Sequence, residues 1–187
     1  MNNILDLDSR LKFREWLVNN SNIEKECYIR VKRGKPVDSN IFYYLDALEE
    51  ALCFGWIDST VRMINGEVYQ RFSKRVKNSK WSELNKERVR RLIKLNLMTK
   101  DGYKTLPDLN EPYVIDECIL KELEKNRILS IFMSFPKLYQ RIRLYNVLFY
   151  KSINKEKYEK ALKHLIEETK KNKMYGEWND YGRLLDY

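Results

Sequence analysis

One dipeptide, Asn65-Gly66, limits the fold more than any other feature of the chain. It lies between two β-rich runs, "IDSTVRMI" and "EVYQRF". A type I′ turn needs positive φ at both central positions, and Asn-Gly tolerates this best. Residues 57–64 and 67–72 are therefore expected to pair as antiparallel strands. In a regular ladder through that turn, Asp58 falls near residue 73, between Arg71 and Arg75 in sequence. Upstream, "NIFYYLDALEEALCF" has helical spacing, with Tyr44, Leu45, Leu48, Ala51 and Leu52 inward. Gly55 stops that helix, because glycine enters the αL region without a Cβ clash. Asp58 and Ser59, just beyond in "FGWIDS", then have two readings. They are either ordinary residues of an element end or site residues at the entrance of a strand.

The remaining pattern is mostly helical. Residues 8–20 read as a helix capped by Asp8 or Ser9, with Leu11, Trp16 and Leu17 among its apolar positions. "ECYIRVKR" alternates as a half-buried strand, Cys27, Ile29 and Val31 on one side and Tyr28, Arg30 and Lys32 on the other. A helix over about 82–96 places Lys86, Arg90 and Lys94 opposite its apolar side. After a long loop over 100–117, "IDECILKELEKN" and "NRILSIFMSF" give two short helices, Pro136 opens a third and Asn154 caps a fourth. The expected fold class is α+β: a small antiparallel sheet of at least three strands with an Asn-Gly hairpin, flanked by helices. Residues 1–115 form the α+β domain in this reading, and 116–187 a helical C-terminal part packed on it as one globular unit.

Charge is distributed unevenly. The net charge is +9, and residues 70–104 alone carry twelve Lys/Arg against three Asp/Glu. A concentrated basic segment points to a partner more strongly than a basic average does. Cys27, Cys53 and Cys118 are odd in number and form no C-x-x-C pair, which fits reduced core thiols and a cytoplasmic protein. The start of the chain lacks a signal-peptide pattern, and no apolar run approaches membrane-spanning length. His164 is the only histidine and sits on a predicted helix surface, so histidine-pair metal sites are excluded within one chain. No P-loop, G-x-G-x-x-G or G-x-S-x-G string occurs. The reading is therefore of a binding protein without cofactor or metal, rather than an enzyme; a metal-free catalytic site built on an acid such as Asp58 is the alternative.

Trp56, Asp58, Ser59, Gln70, Arg71, Arg75, Ser79, Trp81 and Asn85 are the candidate ligand-binding residues. Guanidinium groups, amides and hydroxyls together hold phosphates or carboxylates, and a helix N-terminus adds donors. An ordinary account also covers them: Ser82 or Ser79 caps a helix, Trp81 and Phe72 are core, and the cations are solvated. The predicted partner is a small anionic ligand or a protein. Nucleic acid, contacted through residues 70–104, is the alternative. In the sharper version, Asp58 or Ser59 lies beside Arg71, Arg75 or Asn85 across the hairpin, and Asp58 orients one arginine and frees the other guanidinium for an anion.

The strings "EALCFGWIDS" and "QRFSKRVKNSKWSELNKERVRRLIKLNLMTKDG" resemble the bacteriocin-protection, YdeI/OmpD-associated family. The matching residues are Gly55, Trp56, Ile57, Asp58 and Ser59; Gln70, Arg71, Phe72 and Arg75; Ser79, Trp81, Ser82 and Asn85; Met98 and Gly102. The C-terminal helices resemble that family's closing helices. Lys74 stands where the family has proline, and "KMYGEWNDYGRLLDY" has no counterpart in it. The resemblance implies a role in stress or antimicrobial-peptide protection and does not imply a reaction.

Overall fold

The structure, a computed structural model, describes residues 3–187. Among these it contains a four-stranded mixed sheet and eight α-helices, an α+β fold. The chain divides into two compact units, residues 1–80, 88–109 and 187 in the first, 81–87 and 110–186 in the second. Among the described residues no helix is long and apolar enough to cross a membrane.

The first unit carries the sheet, in the order β1-β2-β4-β3. Strand β1 (Ile4–Leu5) pairs parallel with β2 (Glu26–Ile29), an addition to the expected strands. β2 and β3 (Trp56–Ile64) both pair antiparallel with β4 (Glu67–Lys74). Asn65 and Gly66 have φ of 51° and 81°, as the hairpin turn requires. β2 is an inner strand, and Cys27, Tyr28 and Ile29 are all buried, so it is not the half-exposed strand expected from alternation. Tyr28 lies opposite Arg71, and the Arg62 guanidinium sits 5.6 Å from its ring centroid, which covers the second face.

Helices α1 (Arg10–Asn20) and α2 (Tyr44–Cys53) belong to the same unit. Ser9 caps α1, and Phe13 and Leu17 are its buried residues, whereas Leu11 is exposed. Phe13 fills the core by meeting Phe42 and Phe72 at 6.1 and 5.5 Å. α2 ends at Cys53, and Gly55 follows with φ of 73°, so the glycine is the helix stop. Trp56 is buried where the chain turns, its edge against Trp16 at 5.7 Å. Thr99 caps the short α4 (Lys100–Tyr103), and its backbone N–H and hydroxyl both donate to the Cys53 carbonyl. That brings Gly102 against the end of α2, where only a glycine fits.

The division runs through α3 (Glu83–Lys94). The second unit takes its first turn, where the Ser82 hydroxyl accepts from Asn85 N–H. It also holds α5 (Glu117–Lys125), α6 (Leu129–Ser134), α7 (Lys137–Phe149) and α8 (Lys155–Lys170). Asp116 and Asn154 cap α5 and α8, and Pro136 is the N-cap of α7 rather than its first helical residue. The core of this unit gathers Ile119, Leu123, Phe132, Tyr139, Ile142 and Leu165. The C-terminal string enters it as well: Trp178 packs edge-on to Tyr139 at 5.5 Å.

Two predictions follow from this packing. A Cβ on Gly102 would stand 2.1 Å from the Cys53 carbonyl oxygen, and one on Gly55 2.7 Å from Thr105 Cγ2. Gly102→Ala and Gly55→Val should each lower urea-unfolding stability by about 3 kcal/mol or more. Gly66→Ala, in open space, should lose only ~1 kcal/mol through its positive φ. The second concerns the thiols. Cys118 is exposed, correcting the expectation that all three cysteines are core. Burial pushes the Cys53 thiol up to about 12, and the Cys27 thiol rises for the same reason. Dithionitrobenzoate near neutral pH should therefore titrate one thiol in the native protein and three after denaturation, because only thiolates react.

Candidate functional site

The strand pairing decides where Asp58 points. β3 takes three residues from Asp58 to Val61 while β4 takes two, from Phe72 to Gln70. This bulge shifts the ladder by one residue, so Asp58 lies opposite Phe72 and not residue 73. Its side chain consequently shares the buried face with Phe72, away from the face of Arg71. Tyr44, the first residue of α2, donates its hydroxyl to Asp58 Oδ2 at 2.7 Å. Burial, and then the Asp58 carboxylate, raise the Tyr44 pKa well above the ordinary phenol value, so Tyr44 is a neutral donor. The expectation that Asp58 orients an arginine is corrected.

Of the two residues expected beside an arginine, Ser59 is the one that meets Arg71. Its hydroxyl accepts from Arg71 Nη1 at 2.9 Å, and Arg71 Nε donates to Glu26 Oε2 at 2.7 Å. Arg71 holds the Glu26 carboxyl below the usual carboxylate range. Gln70 is buried and plugs the bulge: its amide nitrogen donates to the carbonyls of Ser59, Thr60 and Arg71. Arg33 donates to the Gln70 oxygen and stacks 4.2 Å from the Tyr44 ring centroid. Arg75 Nη2 donates to the Ser79 hydroxyl and the Lys80 carbonyl, and its backbone N–H to the Gly55 carbonyl. Trp56 is a core residue whose indole N–H reaches the Ser21 carbonyl at 3.4 Å. Trp81, buried, and Asn85 belong to the second unit. The nine candidates are thus divided among several places, and Asp58, Ser59, Gln70, Arg71, Arg75 and Ser79 have side-chain partners within the protein.

The same logic, a carboxylate orienting guanidinium groups, occurs a few residues earlier in the chain. Asp46, Glu49 and Glu50 lie at i, i+3 and i+4 on α2, and Arg10 and Arg14 at i, i+4 on α1. Glu49 and Glu50 are 1% and 2% exposed. Glu50 receives Arg10 Nε on one oxygen and Arg14 Nη1, at 2.7 Å, on the other. Glu49 receives Arg10 Nη1 and Arg91 Nη1, both at 2.8 Å. Every carboxylate oxygen of the pair therefore has a guanidinium donor. Arg14 is fixed further by donating Nη2 to the Leu97 carbonyl and by lying over Phe54. Burial alone would lower the Arg10 and Arg14 pKa values, but Glu50, aided by Glu49 at Arg10, overcomes it and both lie above the ordinary arginine value.

The acids lie beneath and the arginines face outward. Arg10, Arg14 and Arg91 side chains are 34%, 30% and 18% exposed. With Leu11, Glu50 and Leu97 they line an open cleft of about 380 Å³. Arg10 Nη2 and the Nε and Nη2 of Arg91 remain as donors beyond the carboxylate bonds. Such a surface can grip an anion with preset donors. Sequence reasoning missed these residues because Glu49 and Glu50 sit inside an apolar helix. The signal was the matched spacing of Arg10 and Arg14 with Asp46 and Glu50.

Comparison with curated proteins and with solved structures gave no match. A family model described as a domain of unknown function, DUF8412, matches residues 5–105. That span includes strands β2, β3 and β4, the cleft arginines and the Glu49–Glu50 pair, and the chain belongs to the DUF8412 family.

Proposed function

We infer that the protein acts by binding a small carboxylate- or phosphate-bearing molecule on the outward faces of Arg10, Arg14 and Arg91. The observation that carries this reading is the pair of buried carboxylates that fixes three partly exposed guanidinium groups around one cleft. Preset donors lose little conformational freedom when a ligand arrives, which favours anion binding over a solvated charge cluster. The role we assign to this binding is stress or antimicrobial-peptide protection. That assignment rests on the resemblance of "FGWIDS" and the following basic string to the YdeI/OmpD-associated family. Three free cysteines fit a cytoplasmic site of action.

A nucleic-acid interface across 70–104 is less well supported. Arg71 is engaged by Glu26 and Ser59, Arg75 by Ser79 and the Lys80 carbonyl, and Lys86 by Glu83, so several of that segment's cations are turned to partners within the protein.

The test is calorimetric titration of citrate and of inorganic phosphate at low salt. At least one should bind, and Arg10→Ala or Arg91→Ala should each weaken it about tenfold or more, the value of a charge-assisted hydrogen bond. Arg71→Ala should bind as wild type. Binding unchanged in both cleft variants, or no binding of either anion, overturns the reading. Separately, Glu50→Ala should lower unfolding stability by about 1–3 kcal/mol, since Arg10 and Arg14 each lose a buried partner but stay partly hydrated.

A further inference from the structure

We propose that the loop edge formed by residues 21–25 and 74–80 is a docking surface for an anionic lipid bilayer. Two loops far apart in sequence are joined there. Lys74 donates its backbone N–H to the Lys25 carbonyl at 3.2 Å and its ammonium to the Asn22 carbonyl at 2.9 Å. These two bonds bracket Ile23, which is 76% exposed. Val76, two residues beyond Lys74, is 77% exposed. Both aliphatic side chains stand in water with no core to serve, which is the expensive arrangement for a loop tip.

The surrounding charges are lysines. Lys25, Lys74, Lys77 and Lys80 are all exposed. Of the acids of this region, Asp101 pairs with Lys104, and Glu24 accepts from the Asn3 amide, which brings no positive charge; four lysines still outnumber them. The arginines of the basic segment, the better groups for reading bases, are instead turned to protein partners at Arg71 and Arg75. What remains exposed is a set of ammonium groups, that of Lys74 held by the Asn22 carbonyl, on the same two loops as two prong-like aliphatic side chains. Lysines beside an anionic headgroup layer gain attraction while their stems lie along apolar surface, and the prongs enter the acyl boundary. Tyr103, exposed on α4 between Lys100 and Lys104, has the amphipathic ring that suits the same boundary. A nucleic-acid surface would gain nothing from Ile23 and Val76. The charge and the prongs together therefore favour lipid.

The experiment is cosedimentation of the full chain with phosphatidylcholine vesicles, with and without phosphatidylglycerol, at low and high salt. Binding should require phosphatidylglycerol and fall with salt. Lys77→Ala with Lys80→Ala should reduce partitioning roughly thirtyfold. Ile23→Ser with Val76→Ser, which changes no charge, should reduce it about fivefold or more. Arg10→Ala should partition as wild type, and both loop variants should keep the cleft's citrate or phosphate binding, so the two sites succeed or fail independently. No partitioning onto phosphatidylglycerol vesicles at low salt overturns the proposal. So does wild-type partitioning by the Ile23→Ser, Val76→Ser protein, or retention on random-sequence duplex DNA that exceeds vesicle binding and ignores those two substitutions.

Discussion

Two buried carboxylates in helix α2 set the terms for the first unit. Glu49 and Glu50 are almost wholly removed from water, and a buried carboxylate is tolerated only with its oxygens satisfied. Four oxygens need several donors, and a single arginine cannot reach them all. Arg10 and Arg14 on α1 and Arg91 on α3 meet that demand, so three helices are tied to one acidic pair. The apolar surface around Phe13, Leu17, Leu48 and Leu52 supplies the bulk of the packing. Charge fixes which faces of α1 and α2 meet. Because the acids lie beneath and the guanidinium groups face outward, the requirement that stabilises the helices also presents donors to solvent.

The sheet obeys a similar coupling between a local irregularity and a chemical outcome. One extra residue in β3 moves Asp58 to the buried face and Ser59 to the face of Arg71. The bulge also leaves carbonyl groups out of the ladder, and Gln70 is buried beside them as their donor. Asp58, in turn, anchors the first residue of α2 through Tyr44. The residues of "FGWIDS" and "QRF" thus position the helix that bears Glu49 and Glu50. Their contribution to a binding cleft is indirect.

Element types were legible in the sequence because their signals are local. The Asn65-Gly66 hairpin, the Gly55 stop, and the caps at Ser9, Ser82 and Asn154 each depend on a few neighbouring residues. Three features were not legible. The β3 bulge has no glycine or proline to mark it, and its one-residue shift reverses the side-chain face. The burial of Tyr28 on a second face depends on Arg62, a residue from a different strand. The exposure of Leu11 and burial of Phe13 depend on which side of α1 meets the core, and a helix with mixed spacing leaves that open. The cleft itself joins positions about 40 residues apart between α1 and α2, and again between α2 and α3. Only the i, i+4 spacing of its members was visible beforehand.

The arginine cleft is the central claim, and anomalous diffraction tests it most directly. A crystal of the full chain soaked in tungstate, a heavy tetrahedral oxyanion, would report where such an anion orders. The account predicts the strongest anomalous peak between Arg10 and Arg91, with Glu49 and Glu50 still holding both guanidinium groups from beneath. A strongest peak at Arg71 or Arg75, with none in the cleft, would contradict it.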